Sequence, residues 1–95
     1  MNSYELTVII DGKATPAKKK AFLGRVSKLI KLFKGEITKE DDWGKRDLAY
    51  KINKLASGNY LFFELKLEGS AAKSLRDKLR VDEDVVRYLL LRVSK

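Results

Sequence analysis

The residues best equipped for chemistry in this chain are its cations. The stretch "DDWGKRDLAYKINK", residues 41–54, sets Gly44, Lys45 and Arg46 ahead of an alternation of Leu48, Tyr50 and Ile52 with Ala49, Lys51 and Asn53. A strand built only for structure has no need of that basic pair. Lys51 and Lys54 extend the group, and a second group runs through Arg76, Lys78, Arg80, Arg87 and Arg92. A third comprises Lys18, Lys19, Lys20, Arg25, Lys28, Lys31 and Lys34. Guanidinium forks grip phosphate through paired hydrogen bonds, while ammonium groups act as point charges. With 21 Lys+Arg against 13 Asp+Glu and a net charge of +8, the chain attracts anionic surfaces, nucleic acid above all.

Other chemistries find few candidates. There is no cysteine and no histidine, which removes disulfides, zinc thiolates, thiol nucleophiles and the usual general base. Asp41 with Asp42, and Asp82 with Glu83 and Asp84, offer oxygen ligands for a hard cation, but neither has the spacing of a calcium loop. Acidic loop tips that aid solubility explain them more simply. We therefore expect a non-enzyme with no catalytic residue, metal, cofactor or small-molecule substrate. The "MNSYEL" start does not read as a secretory signal, and no stretch approaches the roughly 20 apolar residues of a membrane span. A cytoplasmic protein with no membrane partner is expected.

These cations must be held by a scaffold, and 95 residues, 44% of them hydrophobic, suffice for a single domain, 1–95, with one modest core. "SYELTVII" alternates Tyr4, Leu6, Val8 and Ile10 with Glu5, Thr7 and Ile9, as a half-buried strand does. Thr15 and Pro16 suit the N-cap and first turn of a helix whose stripe is Phe22, Val26, Leu29, Ile30 and Phe33, with Gly35 as its C-terminal stop. "EITKED" and "DLAYKINK" form one long irregular strand or two short ones meeting at Gly44. "ASGN" reads as a turn into the strand "YLFFELKLE"; Ser70 caps a short helix presenting Leu75 and Leu79; "VVRYLLLRV" is the last strand. The order β-α-β-β-α-β predicts an α+β, ferredoxin-like split βαβ fold, a four-stranded antiparallel sheet with both helices on one face.

That architecture leaves the other sheet face open. Leu6, Val8, Ile10, Leu48, Tyr50, Ile52, Leu61, Phe63, Leu65, Tyr88 and Leu90 make a consistent inward set. The remainder includes Ile9, Ala49, Tyr60, Phe62, Leu89, Leu91 and Val93 on adjacent strands, an apolar patch of the kind that docks a partner or stacks on bases. The charged back of the first helix reads most simply as a solvated surface, although acids are almost absent from it. An RNA-recognition motif shares the element order, but "SGNYLFFEL" lacks the preceding basic residue and the aromatic spacing. Acylphosphatases also use this fold, but "DGKATP" has no arginine in the loop after the first strand.

"YEL…VII", "GKRDLAYKINK", "GNYLFFEL" and "LRVDEDVVRYLLLR" together resemble the bacterial small-ribosomal-subunit protein six family, almost from end to end. The run Gly44-Lys45-Arg46-x-Leu48-Ala49-Tyr50-x-Ile52, with Gly58 and Tyr60 behind it, is the most specific part; the helices match in pattern rather than in residues. The resemblance implies a ribosomal protein in the cytoplasm that binds the central domain of 16S rRNA. It also implies pairing, as a heterodimer, with small ribosomal subunit protein eighteen during assembly. Some members carry an acidic C-terminal tail; here the sequence stops at Lys95, so that tail's role does not carry over. On this reading Lys45, Arg46, Lys54, Arg80, Arg87 and Arg92 are the expected RNA contacts. Ile9, Tyr60, Phe62, Leu89 and Leu91 are the expected protein-docking residues. The competing assignment is a free-standing interaction module of the same fold whose open sheet pairs with itself.

Overall fold

A computed structural model describes residues 2–52 and 55–93, with residues 45–52 and 55–57 described through their backbone alone. The chain runs β1 (Asn2–Asp11), α1 (Pro16–Leu32), β2 (Glu36–Ile52), β3 (Leu55–Leu67), α2 (Gly69–Val81) and β4 (Val85–Arg92). The strands form one antiparallel sheet in the order β2-β3-β1-β4, so each helix crosses over one intervening strand, as the split βαβ pattern requires.

The alternation expected in the strands is the one that folds. Tyr4, Leu6, Val8 and Ile10 of β1 are buried beside Leu61, Phe63, Leu65 and Leu67 of β3 and Leu90 of β4. Phe22, Val26 and Ile30 of α1 and Ala72, Leu75 and Leu79 of α2 close over them, with Leu29, Phe33 and Tyr88 packed at the margin. Each fully buried large side chain contributes about 1.5–3 kcal/mol relative to exposure, which makes this layer the main source of stability.

The helix ends hold two corrections. At the start of α1 the Thr15 hydroxyl accepts from the Lys18 N–H at 3.1 Å, with Pro16 in the first turn, as the sequence predicts. At its end the left-handed residue is Lys34, φ 59°, rather than Gly35. The Lys34 N–H donates to the Lys31 carbonyl at 3.0 Å and the Gly35 N–H to the Ile30 carbonyl at 2.8 Å, the paired bonds of a Schellman closure. Gly35 is needed for space instead, because a Cβ there would collide with the Leu67 side chain and come within 2.6 Å of the Lys66 carbonyl oxygen. In α2 the N-cap is Glu68, with no side-chain cap bond, so Ser70 lies inside the helix.

The third correction concerns "ASGN". Residues 56–59 are strand, not turn, and β3 runs on past the end of β1, where Asp11 pairs with Gly58. Asn59 is 4% exposed, and its side-chain amide donates to the Asp11 carbonyl at 2.9 Å, satisfying the last carbonyl of β1. Residues 47–52 of β2 and 55–57 of β3 therefore continue as a two-stranded ribbon with no β1 neighbour. The expected core positions of Leu48, Tyr50 and Ile52 fall on this ribbon, and their side chains lie outside the described residues.

Acidic residues expected to be loop ornaments are instead ties. Arg25 of α1 donates to Asp82 at 3.1 Å and to Asp84 at 2.7 Å, and Lys18 lies 3.5 Å from Asp84, fastening the first helix to the approach to β4. Lys19 reaches Asp42 of β2 at 2.9 Å. The Arg25 hydrogen bond holds the Asp84 carboxyl below the usual carboxylate range, aided by the charge of Lys18, and the Lys19 hydrogen bond does the same for Asp42.

Two outcomes are expected from these features. Lys34→Gly relieves left-handed strain at some cost in unfolded-chain entropy and should raise stability by up to about 1 kcal/mol. Gly35→Ala should lower it by about 1–3 kcal/mol through overpacking, both read by urea denaturation. Because the Asp84 and Asp42 pKa values are depressed in the folded state, their stabilisation is present above the unfolded value of about 3.9 and is lost as pH falls through the folded value. An Asp84→Asn, Asp42→Asn variant should therefore lie below the wild type in stability at pH 7 and show a smaller fall on acidification below about pH 4, followed by thermal melts across pH.

Candidate functional site

With α1 and α2 on one side of the sheet, the register determines what the other side presents. Side chains meet across the strands in rows: Lys39, Glu64, Glu5 and Leu91; then Asp41, Phe62, Thr7 and Leu89; then Gly44, Tyr60, Ile9 and Arg87. The face thus passes from charged to apolar to a mixed edge. Leu89 is 55% and Leu91 49% exposed, while Ile9, Tyr60 and Phe62 are half-buried among them. A shallow groove of about 390 Å³ lies between Thr7, Ile9, Tyr60, Arg87, Tyr88 and Leu89.

A bulge in β2 adds the largest member of the patch. Asp42 pairs with Leu61 but Gly44 with Tyr60, so Trp43 is the extra residue. Gly44 takes φ 77°, and its N–H donates to the Asp42 carboxylate at 2.8 Å, which stabilises the local turn. Asp42 then reaches Lys19 of α1, whereas Trp43 stacks on Phe62 with ring centroids 5.1 Å apart and planes 7° from parallel. Strict alternation fails at this point. The sequence marks Gly44 as the point where this strand is irregular or divides, but nothing in the alternation points to the tryptophan beside it.

All five expected docking residues, Ile9, Tyr60, Phe62, Leu89 and Leu91, come together on this face, and Trp43 joins them. The expected RNA contacts are dispersed. Arg87 stands within the apolar face, opposite Ile9. Arg92 lies at the far end of β4, where it donates to the Asn2 side-chain carbonyl at 3.2 Å. Arg80 belongs to the last turn of α2, in the other layer, and is paired with Asp77 at 3.2 Å. The backbones of Lys45 and Arg46 pair with Asn59 and Gly58 where β1 ends, at the opposite sheet edge from β4. Their side chains, and the whole of Lys54, lie outside the described residues.

Neither acidic group gathers a metal site among the described residues. Asp41 faces Lys39 at 3.5 Å, and Asp42, Asp82 and Asp84 are engaged by cations. Among the described residues no three His, Cys, Asp or Glu side chains cluster, and no helix is long and apolar enough to cross a membrane. What the face offers is an apolar, aromatic-bearing surface that includes Arg87 on its β4 edge.

Comparison with known proteins finds relatives over nearly the whole chain. The sequence profile of the family described as Ribosomal protein S6 matches residues 3–92. The chain is 34% identical, over 97% of both chains, to the small ribosomal subunit protein bS6 of Desulforamulus reducens. It is 35% identical to that of Carboxydothermus hydrogenoformans, over 100% of this chain and 99% of the relative. The crystal structure of 30S ribosomal protein S6 from Thermotoga maritima superposes with a TM-score of 0.90 at 28% identity, covering 97% of this chain and 87% of that one.

Trp43 is the single tryptophan and is 44% exposed, so its fluorescence reports directly on this face. Occupation of the patch by a protein should shift its emission to shorter wavelength and reduce iodide quenching. Unchanged emission in a complex formed at saturating partner would place the contact elsewhere.

Proposed function

Since the chain belongs to the ribosomal protein S6 family, we propose that this structural, non-enzymatic component of the bacterial small ribosomal subunit holds the central domain of 16S rRNA jointly with small ribosomal subunit protein eighteen. Work in the subunit requires contacts with RNA and with neighbouring proteins, and the chain has a surface suited to each. The observation that carries the reading is the contiguous patch of Trp43, Phe62, Ile9, Tyr60, Leu89 and Leu91 on a sheet face that neither helix covers.

The two contacts divide by physical type. Burying Leu89, Leu91 and the Trp43–Phe62 stack against protein eighteen supplies non-directional affinity from apolar area, as at the centre of most interfaces. Lys45, Arg46, Lys54, Arg80, Arg87 and Arg92 supply phosphate contacts. Each neutralised phosphate releases counterions and makes binding steeply salt-dependent. A-form grooves present little readable base pattern, so discrimination comes from RNA shape and from the composite surface formed with the partner. Arg87 lies at the join, paired with Ile9 in the apolar face.

Leu89→Ser with Leu91→Ser tests the assignment. Both side chains are half-exposed in the isolated chain, so its circular dichroism and melting midpoint should change little. Heterodimer formation with protein eighteen should weaken by at least about tenfold, because each lost leucine burial is worth about 1.5–3 kcal/mol. Undiminished pairing by titration calorimetry would remove the open face from the interface.

A further inference from the structure

The outer face of α1 carries a row of cations with no counter-ion among the described residues. Buried Phe22, Val26 and Ile30 define one pole of the helix, and at 3.6 residues per turn Lys20, Gly24, Lys28 and Lys31 gather around the opposite pole. The cations nearer the sheet are committed: Lys18 to Asp84, Lys19 to Asp42, and Arg25 to Asp82 and Asp84. Lys20, Lys28 and Lys31 make no ion pair or hydrogen bond among the described residues, and α1 holds no acidic residue at all. An ordinary solvated helix back mixes both signs along i,i+4 pairs, which α1 does not do.

Gly24 is a second, independent feature of the same face. Glycine is the poorest helix former after proline, and this one lies mid-helix. A Cβ at Gly24 would meet nothing within 4 Å, and the residue does not adopt a positive φ, so neither packing nor backbone geometry requires it. A missing side chain does permit another molecule's backbone to approach closely. Lys20 and Lys28 stand about 12 Å apart along the axis with Gly24 midway, where an added Cβ would meet only open space.

We propose that this face of α1 lies against the sugar–phosphate backbone of ribosomal RNA, with Lys20, Lys28 and Lys31 on phosphates and Gly24 at the point of nearest approach. Charge complementarity selects this occupant. A second copy would set the same lysines against each other, and a lipid surface would need the apolar pole that is already buried under the sheet. The inference rests on the ribosomal reading above and adds a second RNA-facing surface, in the layer opposite the apolar sheet face.

The test is lysine acylation of the full chain, free and within small subunits from the cells that make it, followed by ultraviolet crosslinking and mass spectrometry. Lys20, Lys28 and Lys31 should react several-fold more slowly in the subunit, with nucleotide adducts on α1. Gly24→Ala should raise the melting midpoint of the free chain by about 4 °C yet be released from the subunit at lower salt, opposite effects that a purely structural glycine cannot give. Equal reactivity in a chain present in the subunit, crosslinks to polypeptide alone, or release of Gly24→Ala at the wild-type salt concentration would overturn the inference while leaving the functional reading intact. Absence of the wild-type chain from the subunits would overturn both.

Discussion

Everything distinctive in this structure depends on the sheet being covered on one side only. Because successive strand residues point to opposite faces, the same ladder that buries Leu6, Val8 and Ile10 under the helices must turn Glu5, Thr7 and Ile9 outward. The register is held by the core: a one-residue slip of β3 would exchange Leu61, Phe63 and Leu65 for Tyr60, Phe62 and Glu64. Core packing thereby specifies the composition and alignment of the open face. Leu89 and Leu91 remain half-exposed in the isolated chain, which leaves their apolar area available for association.

Irregularities re-aim side chains where strict alternation would misplace them. At Gly44 the bulge in β2 sends Asp42 to Lys19 on the helix side and Trp43 to Phe62 on the open side, so one extra residue serves both layers. A second register shift, between Ile9 and Ile10 opposite β4, makes Val86 the extra residue between Arg87 and Val85. It keeps Val85 packed on the core while Arg87 faces outward beside Ile9. Both irregularities lie towards the end of the sheet where β1 stops and Asn59 closes its last carbonyl. Beyond that point β2 and β3 continue as a ribbon whose backbone is no longer tied to β1.

The fold was legible because its determinants are local and periodic. The alternations of β1 and β3 and the Phe22–Val26–Ile30 spacing each specify an element and the face it buries, and Thr15 with Pro16 marks where α1 begins. The errors arose where a local signal competed with tertiary space. Gly35 has the composition of a helix stop, but the proximity of Leu67 and Lys66 demands a glycine there, and the left-handed position falls to Lys34 instead. "ASGN" has turn chemistry, yet pairing with β2 carries it into the sheet and gives Asn59 a buried role. Likewise the outward apolar set of the strands followed from alternation alone, whereas no single element's period says which cations on different elements share a surface. Trp43 was out of reach because its direction depends on the bulge.

The distribution of charge completes the physical picture. Paired cations hold the layers together: Lys18 and Arg25 bind α1 to the approach to β4, and Lys19 binds it to β2. Those ties use the nearby acids Asp42, Asp82 and Asp84, and among the described residues the outward row of α1 has no counter-ion. The excess of cations is thus not spread evenly over the molecule but displaced to surfaces away from the internal ties. The apolar patch occupies the opposite layer, so docking a protein there leaves the lysine face of α1 open. A component that must touch RNA and protein at once gains from this separation: apolar burial on the sheet face is nearly indifferent to salt, whereas the attraction of the α1 lysines for phosphate depends on it strongly, and the two need not compete for the same area.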